Sequence, residues 1–117
     1  MRFWSALVGS VAVAVVAGCA SSPAPTEKLE ATSASIRAAQ EVGAPRVPAA
    51  SLHLQLALEQ TEHAKTLMAK GEKKQASSLL MRAEVDAELA LALAREDTER
   101  TQAQQAYNQV RALRQNP

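Results

Sequence analysis

The chain is poor in aromatic side chains: Phe3, Trp4 and Tyr107 are the whole set among 117 residues. So few leave little material for base stacking or for an aromatic-lined pocket. There is one cysteine, which excludes an internal disulfide and a cysteine-based zinc site. There is no charge of one sign to speak of, since 13 Lys and Arg against 12 Asp and Glu give +1. A nucleic-acid binder carries a basic stripe instead. Glycine and proline are also scarce, with four and five copies. Neither occurs between Glu72 and Asn116. The length allows one small domain.

What the chain does have is an uneven start. Arg2 is the sole charge before Glu27, and an apolar run from Phe3 to Val16 follows it. This is the positive and then hydrophobic order of a secretory leader. The run closes on Val16-Ala17-Gly18-Cys19, which resembles the bacterial lipobox. Residues 1–18 are therefore expected to be a lipoprotein signal peptide, cut between Gly18 and Cys19. Small side chains at Ala17 and Gly18 suit a peptidase cleft. The Cys19 thiol is the group that can take a thioether-linked diacylglycerol. That covalent lipid stands where a cofactor would, and no other cofactor is expected. Two or more acyl chains hold a protein at a bilayer without a span, and Phe3 to Ala20 falls short of the about 20 apolar residues a span needs. Ala20, not Asp, follows the cysteine. The resemblance then implies a lipid-anchored place in the outer membrane, facing the periplasm, in a Gram-negative host.

Residues 19–25 read as a lipidated tether, because Ser21-Ser22-Pro23-Ala24-Pro25 is a flexible composition. The rest is expected to be all-α. Thr26 is a candidate cap for a first helix carrying Leu29, Ile36 and Ala39 near one face, with Gly43 as its stop. Ala44 to Pro48 reads as a loop, because Pro45 and Pro48 disfavour helix before them. A second helix is expected from about Pro48 to Lys70, ended by Gly71. Ala50, Leu54, Ala57, Thr61, Ala64 and Met68 step along it by four and three, the spacing of a coiled-coil seam. A third helix is expected from Glu72 to about Leu113, with Ala76, Leu80, Ala83, Ala87, Ala90 and Ala94 on the same rule. The short turn at Gly71 makes these two helices antiparallel neighbours. Ile36, Leu54, Leu56, Leu67, Leu79, Leu80, Leu89 and Leu93 are the larger groups expected to fill the core between alanines.

A second helix of this length covers the third only to about Ala94. Residues 26–94 are thus expected to form the helical hairpin domain, and residues 95–117 a polar distal helix and tail. Glu96 and Arg100 are placed as an i,i+4 pair. Ala103, Ala106, Tyr107, Val110 and Leu113 make a thin apolar stripe on the distal part, which is a candidate contact strip for a partner.

The order Ile36, Ala39, Gly43-Ala44, Pro48, Leu56-Ala57, Ala64, Gly71-Glu72, Ala76, Leu79, Ala83, Asp86-Ala87 and Leu89-Ala90 resembles the domain-of-unknown-function family numbered 4398, over roughly Thr26 to Ala94. The resemblance implies a bacterial envelope protein, often a lipoprotein, with a short helical domain. The family often has Gly-Asp-aromatic at the turn where this chain has Gly71-Glu72-Lys73. Some members carry a peptidoglycan-binding domain downstream. None follows before Pro117, so direct peptidoglycan binding is not expected. The resemblance supplies no catalytic residues.

Little else carries chemistry. His53 and His63 are ten residues apart on one expected helix, about 15 Å along its axis, and cannot share a metal ion. His63 is four residues after Glu59, which suits a surface hydrogen bond. Glu84, Asp86 and Glu88 form a small acidic group that Arg82 and Arg95 can compensate, and Asp86 is placed to face a basic group of another helix. Lys70, Lys73 and Lys74 gather at the Gly71 turn. The expectation is a structural or adaptor helical module without catalysis, bound to membrane lipid through Cys19 and meeting an envelope protein or a second copy of itself. The alternative is a self-assembling coiled-coil lipoprotein spacing the outer membrane from the wall. Covalent attachment to peptidoglycan through a terminal lysine is not expected from Arg114-Gln115-Asn116-Pro117.

Overall fold

The computed structural model describes residues 24–116; the expected signal peptide, Cys19 and the tether up to Pro23 lie outside the described residues. Three helices follow one another: α1 (Pro25–Glu41), α2 (Pro48–Ala69) and α3 (Lys73–Gln115), with one 3-10 turn at Ala44–Arg46. The all-α architecture read from the sequence is the one observed, with a short first helix, an antiparallel hairpin and a long last helix.

The helix ends follow from a few residues. α1 starts earlier than Thr26: Ala24 is the N-cap without a side-chain hydrogen bond, and Pro25 opens the first turn. Proline suits that place because its φ is already helical and its missing N–H would be unpaired there anyway. The tether therefore gives way to helix after Ala24, and Thr26 is an exposed first-turn residue rather than a cap. Gly43 ends α1 with φ 93°, and its N–H donates to Gln40 O at 3.1 Å. The expected loop after it is tighter than expected, since Arg46 N–H donates to Gly43 O at 2.9 Å and closes the 3-10 turn. At the other corner Gly71 has φ 79°. Its N–H donates to Met68 O at 3.0 Å and that of Glu72 to Leu67 O at 2.9 Å, the paired bonds of a Schellman ending.

α2 returns antiparallel to α3, and α1 runs alongside α3 in the same direction, packing chiefly on it. The direction is fixed by side chains: Thr32 of α1 meets Leu80 of α3, while Ile36 and Ala39 pack with Ala87, Ala90 and Ala94. All six seam positions of α3, Ala76, Leu80, Ala83, Ala87, Ala90 and Ala94, are buried. On α2 the seam is buried from Ala50 to Ala64, but Met68, in the last turn of the helix, is only half-buried.

The core is smaller in volume than the sequence suggested. Among the described residues, ten alanines and three larger aliphatics, Ile36, Leu54 and Leu80, are buried. Leu56 and Leu89 are exposed, and Leu67, Leu79 and Leu93 are half-buried. The reason is geometric. Alanine seams let the helices approach so closely that side chains one step off the seam are pushed to the rim. The hydroxyl of Thr32 shows the approach: it donates to Lys28 O at 2.7 Å within α1 and lies 3.3 Å from the backbone O of Leu80 on α3. Nothing in the one-dimensional pattern of α1 singles out Thr32. Thr61 occupies its seam position by turning its hydroxyl back onto Ala57 O at 2.7 Å, so that only its methyl faces the core.

α1 ends and α2 begins about level with Ala94. Every residue from 95 to 116 is exposed. At 1.5 Å per residue this free part of α3 is about 30 Å long, and it leaves the bundle at the end opposite the start of α1. No described helix is long and apolar enough to cross a membrane.

Candidate functional site

Two features outside the alanine packing stand out. The first is a polar clamp between α2 and α3. Asp86 sits beside the seam residue Ala87 and aims at α2 rather than at solvent. His53 Nδ1 donates to Asp86 Oδ1 at 2.9 Å, and Gln60 Nε2 donates to Asp86 Oδ2 at 2.8 Å. Side-chain exposure is 28% for His53 and 20% for Asp86, so the pair is screened much less than a surface pair. His53 and Gln60 are seven residues apart, two turns of one face, and they grip both oxygens of one carboxylate. Gln60 gives its amide to Asp86, and its own Oε1 is left buried without a partner. The basic group expected opposite Asp86 is therefore His53, joined by an amide. The sequence could show that Asp86 lies beside the seam; it could not show which residues of α2 stand across it.

The clamp has the parts of a register lock between α2 and α3. Its carboxylate is held by two donors, and the depression beside it is lined by Gln60, Met81, Arg82, Val85 and Asp86. Glu84 and Glu88 form no ion pair with Arg82 or Arg95 among the described residues. His63 does not bond Glu59 as expected; it lies with Leu67, Gln75, Ser78, Leu79 and Arg82 along a surface groove. No group of three or more His, Cys, Asp or Glu able to hold a metal ion occurs among the described residues.

The second feature is the free part of α3. Tyr107 is 63% exposed, Val110 48% and Leu113 74%, and Ala103 and Ala106 are exposed beside them. The stripe read from the sequence is thus entirely on the surface. Local interactions hold the helix here: Arg100 Nη2 donates to Glu96 Oε1, and Gln104 Nε2 to Asn108 Oδ1 at 3.1 Å. At its root a notch of about 190 Å³ is lined by Val47, Ala49, Leu93, Glu96, Asp97 and Arg100. Cys19 and Gly18, the expected lipidation and cleavage residues, lie outside the described residues.

These features define a class: an up-down-up bundle of three helices, the last two alanine-seamed, whose last helix outruns its partners. The model of the family described as Domain of unknown function (DUF4398) matches residues 27–106, more than half of the chain, and the chain belongs to that family. The match runs past Ala94 into the exposed part of α3. No curated protein and no solved structure matches the chain significantly.

Proposed function

We propose that this chain is a membrane-anchored envelope lipoprotein that acts as a structural or adaptor helical module, with no catalysis of its own. The observation that carries the reading is the free part of α3. A helix exposed from 95 to 116 projects from the end of the bundle opposite the start of α1. It bears an apolar stripe with no partner in the described chain. The bundle is then a stem, held on one side by lipid on Cys19, and the distal helix is the presented part. The lipobox-like Val16-Ala17-Gly18-Cys19 and the Ala20 that follows it support an outer-membrane place facing the periplasm.

Cross-linking probes at Tyr107 and Val110 in intact cells test the presented helix. One discrete adduct, to a second copy or to another envelope protein, is the expected outcome. Probes that stay unlinked at both positions overturn the reading. Cys19→Ala is expected to leave an unprocessed, unacylated precursor by intact mass, and normal processing overturns the anchor. A second reading, a self-assembling coiled-coil spacer, is favoured by the three- and four-residue steps of Ala103, Ala106, Val110 and Leu113. Sedimentation of the detergent-solubilised protein separates the two, because a spacer of that kind is a stable oligomer.

A further inference from the structure

We propose that the Gly71 end of the bundle is a docking surface for anionic lipid headgroups. The proposal rests on the lipid-anchored reading above and adds the surface by which the bundle would sit on its own membrane.

The fold brings together lysines that are far apart in the chain. Lys28 of α1 and Lys73 and Lys74 of α3 line one groove of about 380 Å³, with Pro25, Ser77, Ser78 and Met81 completing it. No carboxylate lines that groove. None of the three lysines forms an ion pair among the described residues. Glu27, Glu30 and Glu72 are the acids on the adjoining turns, and against Lys28, Lys70, Lys73 and Lys74 they leave a small surplus of positive charge. The arrangement is locally unfavourable. Lys73 and Lys74 are the first two residues of α3, where the helix dipole disfavours cations. Since α1 runs parallel to α3, its positive end lies here too, and Lys28 is in its opening turns. Three ammonium groups, two helix N-termini and two hydroxyls converge on one face. A bound anion would relieve that repulsion.

The position of this face selects the source of the anion. Ala24, which caps α1, is five residues after Cys19. Five residues reach at most about 18 Å. A chain lipidated at Cys19 therefore keeps this end, and not the distal helix, close to the headgroups. Each lysine brought to an anionic bilayer surface strengthens association by about fivefold. Since acyl chains already supply attachment, the effect of the lysines is to orient the bundle, with α3 directed away from the bilayer.

The test uses the acylated chain reconstituted in two kinds of vesicle, neutral phosphatidylcholine and phosphatidylcholine with a third of phosphatidylglycerol. Lysine acetylation is then read residue by residue by mass spectrometry. Lys28, Lys73 and Lys74 are expected to react about fivefold more slowly on the anionic vesicles. The difference should vanish in about 0.5 M salt. Lys65, about one turn before the end of α2 but outside the groove and paired with Glu62, is the internal reference and should change least. A Lys73→Glu, Lys74→Glu chain should lose the protection of Lys28. Equal reactivity on the two vesicle types overturns the proposal. Protection by inorganic phosphate in detergent as strong as that by vesicles also overturns it, in favour of a soluble anion. The anchor is judged separately: if intact mass shows no lipid on Cys19, the anchored reading fails, and the same vesicles offered to the soluble protein still decide the lysine surface.

Discussion

The two halves of α3 are one continuous helix in two different surroundings. From Ala76 to Ala94 every seam residue is buried under α1 and α2; from 95 to 116 nothing is buried at all. The first half has the alanine pattern of a packed element, and the second has amides and paired charges. Yet the helix does not break between them. Starting a helix is the costly step, and extending one needs only residues that tolerate it. The packed half supplies the start, and a stretch with no glycine or proline carries it on. A fold can therefore extend a helix about 30 Å beyond its own core, provided that the extension holds itself by local bonds. The difference also separates roles: the first half sets stability, and the second is free to meet something else.

The sharpest way to test that separation is to remove one large side chain from each half. Leu80 is fully buried in a core that, among the described residues, has two other large aliphatics, Ile36 and Leu54. Leu80→Ala is expected to cost about 2–5 kcal/mol, read from urea unfolding followed by far-ultraviolet circular dichroism. Leu113→Ala, at a residue 74% exposed, should stay within about 0.5 kcal/mol. Comparable losses in the two variants would mean that the distal half is covered in solution.

The reverse change asks whether the alanines matter as alanines. Ala87 is fully buried where α1 and α2 both pack on α3. Ala87→Leu inserts a branched side chain into that contact and should destabilise by about 1–3 kcal/mol. Ala106→Leu adds the same atoms to an open face and should leave the midpoint unchanged. If Ala87→Leu is tolerated equally, the helices are not in the close approach that Thr32 and Leu80 indicate.

The clamp gives a third contrast, between a polar group with cross-helix partners and polar groups with local ones. Asp86→Ala leaves His53 and Gln60, two turns apart on α2, without their shared acceptor. An expected loss of about 1–3 kcal/mol follows from the unpaired donors. Asp86→Asn keeps one acceptor oxygen and should recover part of it. An Asp86→Ala chain as stable as the parent would reduce the clamp to a surface pair.

Much of this was legible beforehand, for a physical reason. Helix positions repeat by three and four, so Ala50 to Ala64 and Ala76 to Ala94 announce their buried faces in one dimension. Counting residues on either side of Gly71 then gives the point where cover stops, and Ala94 is the last buried residue of α3. The helix stops at Gly43 and Gly71 were readable because left-handed backbone favours glycine. The features that depend on the third dimension were not. The rim positions of Leu56 and Leu89 follow from how closely the helices approach. The partnership of Asp86 with His53 and Gln60 follows from the rotation of α2 against α3. Thr32 reads as an ordinary polar residue until α1 is laid on Leu80. The convergence of Lys28 with Lys73 and Lys74 needs α1 to run parallel to α3, which no local pattern in α1 specifies.

The smallest expected effect bears most directly on whether the halves of α3 are energetically separate. Glu96 and Arg100 pair one turn apart on the free half, with exposures of 59% and 78%. Glu96→Gln should therefore weaken the helix by only about 0.3–0.5 kcal/mol, too little to move the global unfolding midpoint. The loss should instead be local. Amide exchange should quicken for the residues around 96–105, which open without disturbing the core, while exchange between Ala76 and Ala94 should stay as in the parent. Raising the salt should shrink the difference between the two chains, because an exposed pair is screened. If Glu96→Gln instead speeds exchange equally along both halves, α3 opens as one cooperative unit. The projecting helix is then part of the folding core in energy though not in contact, and a partner bound to its stripe would stabilise the whole bundle rather than the free half alone.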